Sequence, residues 1–210
     1  MLVYVARHGE TTWNKIGRYQ GRRESGLSAL GMQQGFALGN AFTALTPRVG
    51  RVVSSPLLRT SATAGFVAER LGLPVEHDDR LLEIAHGTWE GRMRDELTAN
   101  DPERMRAWKE APASISFEGG ETLADVATRW NDFARTFDAR VPALVVTHDA
   151  VVRVAILAAQ NRALDDLWRV DVENAGYAVF DVHDAQWTLI EQSVTSHLAG
   201  LRADVTGQAL

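Results

Sequence analysis

The sequence predicts an α/β fold: a three-layer sandwich with a mostly parallel central sheet flanked by helices, and a helical insertion near the carboxyl ends of the strands. Three observations carry this. Apolar runs of strand length alternate with stretches of helical periodicity, the pattern of parallel strands joined by helical crossovers. Residues 143–146 are continuously apolar, as expected of a strand buried on both faces. Residues 51–54 pass directly into Ser55-Pro56, a strand-to-helix junction with serine as cap and proline at the first helical position.

The elements follow in order. Residues 2–6 form a short apolar strand that ends abruptly at Arg7-His8-Gly9. A helical pattern runs from Ser28 to about Leu45 and stops before Pro47. After the second strand, Leu58, Ala62, Phe66/Val67 and Leu71 recur at helical spacing, and Gly72 ends that helix. Residues 74–77 are a candidate third strand. Residues 91–112 read as two short helices broken at Asn100-Asp101-Pro102. After Gly119-Gly120, Leu123, Val126, Ala127, Trp130, Phe133 and Phe137 share one helical face, and Thr122 with Asp125 has the form of a capping box. Residues 149–159 are helical, and 177–182 with 188–190 are late strands that suit a hairpin at one sheet edge. Without a linker or repeat, 1–210 reads as one domain, with 91–118 as a helical insertion or cap and 202–210, small and polar, as a disordered tail.

Composition narrows the function. A hydrophobic fraction of 45% with 23% charged residues is globular and excludes a disordered chain. The absence of cysteine removes disulfides, thiolate zinc sites and a cysteine nucleophile together. No stretch approaches the length of a membrane span, and MLVYVARHGE lacks the form of a signal peptide, so a cytoplasmic protein without membrane contact is expected. A net charge of −5 argues against a nucleic-acid partner. Only Lys15 and Lys109 are lysine; the other basic residues are arginine, the better fork for phosphate and carboxylate.

Three predicted strands end in a functional group: the first at Arg7 and His8, the second through Ser55-Pro56 at Arg59, and the strand near 144–147 at His148. Ligands of open α/β sheets lie beyond the carboxyl ends of the strands, so these residues are candidates to converge in one crevice. Two arginines and two histidines there make an anion site suited to a dianionic phosphate. Each residue alone also has a plain structural reading, as a hydrogen-bonded histidine, a surface ion-pair arginine or a loop carboxylate.

The motifs taken together resemble a known family. Arg7-His8-Gly9-Glu10-Thr11-Thr12-Trp13-Asn14 is similar to the signature of the histidine phosphatase superfamily, which includes the phosphoglycerate mutases. Ser54-Ser55-Pro56-Leu57-Leu58-Arg59-Thr60 with Thr63-Ala64, then Leu82-Glu83 with Gly87-Thr88-Trp89-Glu90-Gly91, and finally Val146-Thr147-His148 resemble its other motifs, in the family's order. The resemblance implies His8 as nucleophile through a phosphohistidine, and Arg7, Arg59 and His148 as holders of the phosphoryl oxygens. It implies Glu83 as the acid and then the base, and Asn14, Gln20 and Gly21 as substrate contacts. No cofactor is implied. No metal-ligand spacing such as H-E-x-x-H occurs, and Arg7 beside His8 would repel a cation.

The family's mutases usually follow the acidic residue with a basic, tyrosine-containing segment, whereas this chain reads Glu83-Ile84-Ala85-His86-Gly87 and is shorter between Gly91 and Gly119. The implied activity is therefore a phosphatase acting on a small phosphate ester. The alternatives are a mutase, a phosphatase of another sugar or acid phosphate and, more distantly, a non-catalytic phosphoester-binding protein. Residues 81–91, 117–122, 174–177 and 195–198 look most like the metal-independent phosphoserine phosphatases, which makes O-phosphoserine the first substrate and His86 a candidate to hold its carboxylate. Many members have glycine after the second histidine, where this chain has Asp149. That aspartate reads either as an N-cap for the following helix or as a charge that disfavours a second phosphate. His77, His183 and His197 read as structural, and Trp89, Trp108 and Trp130 as packing residues. Relatives are often homodimers, but no interface stripe is identifiable.

Overall fold

The computed structural model describes residues 1–204, 208 and 209. Its sheet has six strands: β1 (Leu2–Arg7), β2 (Arg51–Ser54), β3 (Val75–His77), β4 (Ala143–Thr147), β5 (Tyr177–His183) and β6 (Gln186–Val194), in the order β3-β2-β4-β1-β5-β6. β1 to β4 are mutually parallel where they pair, while β5 and β6 add antiparallel strands beyond β1. The α/β class with a mostly parallel sheet is therefore the fold observed.

Seven helices accompany the sheet among the described residues: α1 (Thr12–Lys15), α2 (Ala29–Thr43), α3 (Leu58–Leu71), α4 (Arg94–Asn100), α5 (Pro102–Glu110), α6 (Leu123–Thr136) and α7 (Asp149–Ala159). Alternate residues of each central strand enter opposite layers. Tyr4, Ala6, Val52, Leu144 and Val146 pack with Leu38, Phe42 and Val67 from α2 and α3. Val3, Val5, Val53 and Val145 pack with Val126, Trp130 and Phe133 of α6 and Val151 of α7. Both faces are dry, which is why 143–146 shows no polar alternation. Full burial of one such Val or Leu side chain stabilises by about 1.5–3 kcal/mol.

Local chemistry sets the ends of the elements. Thr122 and Asp125 close a reciprocal capping box at α6. Gly72 ends α3 in the left-handed conformation at φ 68°, which costs glycine little. Pro102 is the first residue of α5, so the break at 100–102 separates two helices. The late strands are longer than their apolar pattern indicates, because Asp184 and Ala185 both take positive φ in a tight two-residue turn. β6 buries no clean apolar face, so periodicity underreads it.

Three expectations are corrected. Ser55 does not cap α3: the N-cap position is Leu57 and Pro56 lies outside the helix, because the Ser55 hydroxyl pairs with His148 at 2.8 Å. Asp149 does not cap α7: His148 occupies the N-cap position and Asp149 is the first helical residue, its carboxylate drawn to Arg153. The tail expected to be disordered contributes two buried residues, Gln208 and Ala209. The Gln208 carboxamide accepts from Arg7 Nη2 (2.7 Å) and donates to Asn174 (2.8 Å), long-range partners invisible in the local sequence. Residues 205–207 and 210 of that segment lie outside the described residues. No helix among the described residues is long and apolar enough to cross a membrane.

Candidate active site

The parallel strands β1, β2 and β4 present their carboxyl ends together. Arg7 is level with Thr147 across the β1–β4 ladder, and the His8 amide donates to the Thr147 carbonyl at 3.0 Å. The next residue has no room for a side chain: a Cβ on Gly9 would lie 2.6 Å from the Gly31 carbonyl oxygen of α2. The Gly9 amide donates to Thr63 Oγ1 on α3 at 3.0 Å, and the His8 carbonyl accepts from the Ala175 amide at 3.1 Å. The turn that exposes His8 is thus fixed from both sides.

Eight of the nine sequence-predicted residues line one small cavity: Arg7, His8, Asn14, Gln20, Gly21, Arg59, Glu83 and His86, joined there by Ala209. The ninth, His148, stands against His8, ring centroids 5.3 Å apart in an edge-to-face arrangement. The structure therefore brings all nine together. His77 and His183 lie apart from them, His77 on the Ser61 hydroxyl and His183 beside Asp184. His197 stacks on Tyr177 and hydrogen-bonds the Ala175 carbonyl. Among the described residues no group of three or more His, Asp or Glu side chains is placed to hold a metal ion.

His8 Nδ1 lies 2.7 Å from the Gly9 carbonyl oxygen, so Nδ1 is the protonated nitrogen and Nε2 keeps its lone pair. Burial, then the positive charges of Arg59 and Arg7, hold His8 well below the usual histidine range. Burial and then Arg59 do the same to His148. Both rings are neutral at neutral pH. Arg59 is anchored by the carbonyls of Gly21 (2.7 Å) and Arg23 (3.0 Å), and Arg7 by Val172 (3.2 Å) and Gln208. Burial lowers Arg59 only to about 10, so it remains a cation.

Several buried donors lack a partner among the described residues. Arg7 Nε, Arg59 Nε, Asn14 Nδ2 and His148 Nδ1 make no hydrogen bond. Unmet buried donors are costly; three of these belong to residues that line the cavity and the fourth to His148 against His8, a set that fits an anion rich in acceptor oxygens. Asn14 is fixed through its other end: its Oδ1 accepts from the Thr11 amide at 3.1 Å in a capping box at α1.

Glu83 accepts from the Ile84 amide at 2.9 Å. Burial first, and then the charge of Asp149, raise its carboxyl to about 7 against the opposing pull of Arg59. A buried carboxyl that keeps its proton up to neutral pH is chemically an acid waiting for a base. His86 lines the same cavity from within an aromatic cage, its ring centroid 4.8 Å from Phe117 and 5.1 Å from Tyr19. Neither ring nitrogen has a partner among the described residues, and burial, then Arg59, push its pKa down to about 3.

Some site contacts go beyond what the sequence indicates, where Ser55 has only the role of a helix cap and Glu90 none. Ser55 orients His148, and Glu90 accepts the His86 amide at 3.1 Å; both lay inside quoted motifs, which was the available signal. Gln208 and Ala209 gave none. Asp149 stands where many members of the family have glycine, and its partner Arg153 belongs to no motif.

Comparison with known proteins places this geometry. The family model of the histidine phosphatase superfamily (branch 1) matches residues 3–195. The chain is 34% identical over 199 residues to phosphoserine phosphatase 1 of Hydrogenobacter thermophilus, covering 93% of each. It is 28% identical to a probable phosphoglycerate mutase GpmB of Erwinia tasmaniensis, covering 89% of this chain and 87% of that one. Among solved structures it is similar to Bacillus stearothermophilus YhfR, with a TM-score of 0.86, 28% identity, and 94% of this chain and 98% of that one covered. The chain belongs to the histidine phosphatase superfamily and is a phosphatase.

Proposed function

We propose that this enzyme hydrolyses a small phosphomonoester through a phosphohistidine on His8, with O-phosphoserine the first-choice substrate. The observation that carries the mechanism is the His8 ring, whose Nδ1 is committed to the Gly9 carbonyl while Nε2 remains a lone pair within the cavity. In the first step Nε2 attacks phosphorus and the P–O bond to the substrate oxygen breaks. Arg7, Arg59, Asn14 and His148 supply their unpartnered donors to the phosphoryl oxygens as charge shifts. Glu83 gives its proton to the departing alkoxide. In the second step the resulting Glu83 carboxylate takes a proton from water, whose oxygen attacks the phosphohistidine. Inorganic phosphate leaves, His8 is again neutral and Glu83 again protonated, so the cycle closes.

Several features support a small acidic substrate. The cavity is narrow, and Ala209 forms part of its wall. His86 lines the cavity and is a buried donor and acceptor without a partner among the described residues, and a substrate carboxylate would take its N–H. The relative from Hydrogenobacter thermophilus is called a phosphoserine phosphatase. Gln20 and Gly21 complete the wall, the Gly21 carbonyl holding Arg59 in place.

The test is phosphate release from a panel of O-phosphoserine, 3-phosphoglycerate, sugar phosphates and p-nitrophenyl phosphate, with EDTA present and His8→Ala as control. A preference for phosphoserine that disappears in the variant supports both parts. Flat, weak hydrolysis lost in His8→Ala keeps the mechanism and removes the substrate. Isomerisation of 3-phosphoglycerate without phosphate release removes the hydrolytic reading.

A further inference from the structure

Asp149 is a buried carboxylate that the catalytic cycle above does not use. It is the first residue of α7, directly after His148, and only 3% exposed. Its two oxygens are shared by two buried cations. Arg153, one turn along α7, donates Nε to Oδ2 at 2.6 Å and Nη2 to Oδ1 at 3.2 Å. Arg7 Nη1 stands 3.4 Å from Oδ1.

Arg153 is itself fixed. Its Nη1 donates to the carbonyls of Leu167 and Val170, and its guanidinium lies over the Trp168 ring at 5.1 Å. Arg7 Nη1 donates to the nearby Val172 carbonyl. Asp149 therefore links a phosphate-binding arginine on β1 to a rigid anchor in the 164–172 segment. Val172 and Gln208 also anchor Arg7; Asp149 adds the charged contact to that set, and the direction of a guanidinium decides which of its N–H groups reach a phosphate.

We propose that Asp149 is a positioning residue for phosphoryl transfer: its carboxylate, shared between Arg153 and Arg7, holds Arg7 against the anchored 164–172 segment. The proposal rests on the phosphohistidine reading of the site. Charges from several elements bear on Glu83, and Arg22 lies against it with Nε 3.5 Å from the Glu83 carbonyl oxygen. Asp149 on α7 opposes ionisation, while Arg59 on α3 and Arg129 on α6 favour it, and Arg7 on β1 is also coupled to it. His8, His86 and His148 are held neutral and contribute no charge at neutral pH. Burial is the main cause of the raised Glu83 carboxyl and Asp149 adds to it against the arginines, so loss of the Asp149 charge lowers Glu83 while burial still holds it above an ordinary carboxyl.

Asp149→Asn separates these effects from simple structural damage. The expected result is a KM raised about tenfold, since a charge-assisted contact on Arg7 is lost. In addition, the basic limb of the kcat/KM–pH profile moves to lower pH because Glu83 ionises earlier. Asp149→Glu, which keeps the charge, returns the limb toward its wild-type position. The double variant Asp149→Asn/Arg153→Met removes the buried pair together; it gives the same shift of the limb and serves if the single variant does not fold. A basic limb unmoved in either neutral variant, or a fall in kcat at unchanged KM and pH profile, overturns the proposal. Failure of the underlying reading looks different: wild-type turnover would then survive His8→Ala.

Discussion

Replacing Glu83 by glutamine removes a proton and a base while keeping shape. With the carboxyl at about 7, about half of the molecules hold the proton at pH 7, against roughly 0.3% for a carboxyl at the ordinary 4.5, a gain of roughly 150-fold in the active acid form. Loss of the acid should slow cleavage of an alkyl phosphate such as phosphoserine by about 10²–10⁴-fold, or about 3–5 kcal/mol in the barrier. p-Nitrophenyl phosphate has a leaving group that departs as a stable anion, so its first step needs little help. The second step still lacks its base. Stopped-flow assay of Glu83→Gln should therefore show a burst of about one equivalent of p-nitrophenol per site, then slow turnover while phosphoenzyme accumulates. Equal losses on both substrates with no burst would refute the assignment of Glu83 to both proton transfers.

Other consequences follow from the same geometry. His86→Ala should raise KM for phosphoserine by about tenfold or more while leaving p-nitrophenyl phosphate, which has no carboxylate, nearly unaffected; equal effects on both would deny His86 a carboxylate partner. Acid should destabilise the fold: the unfolded chain protonates its histidines near 6.5, whereas His86 stays neutral to about 3, so stability falls as pH drops below about 6.5, by about 2 kcal/mol at pH 5 from His86 alone. His8 and His148 act in the same direction, while Glu83, raised to about 7, acts oppositely and loses its contribution as pH rises from 4.5 toward 7. Denaturant midpoints at pH 5 and 7 measure the balance, and equal midpoints would contradict it. Gly9→Ala should lower both stability and activity, since its Cβ meets backbone at 2.6 Å and the only relief is movement of α2 away from the His8 turn; a fully active, equally stable variant would show the turn to be loose.

How much of this was readable in advance depended on whether a feature was local. The both-face burial of 143–146, the Thr122–Asp125 box and the break before Pro102 are written in adjacent residues, and the structure has them there. The convergence of Arg7, Arg59 and His148 was also accessible, because strand ends of a parallel sheet meet by topology. What escaped were side chains whose partners lie far along the chain. Ser55 looked like a cap because serine before proline usually is one, yet His148, 93 residues away, takes its hydroxyl. Gln208 lies in a short segment without helical or strand periodicity, so it reads as tail, yet its carboxamide meets Arg7 across 201 residues. Asp149 differs, since Arg153 stands only four residues on along the same helix; what local sequence does not carry is the burial that gives Arg153 and the distant Arg7 their claim on it.

The most direct measurement is rapid acid-free quenching of wild-type enzyme during turnover of a labelled phosphomonoester, followed by mapping of the bound phosphoryl group. One acid-labile, base-stable phosphoryl group per chain on His8, absent together with all turnover in His8→Ala, is the expected result. Phosphate carried by another residue, or turnover that persists in His8→Ala, would contradict the mechanism at its root.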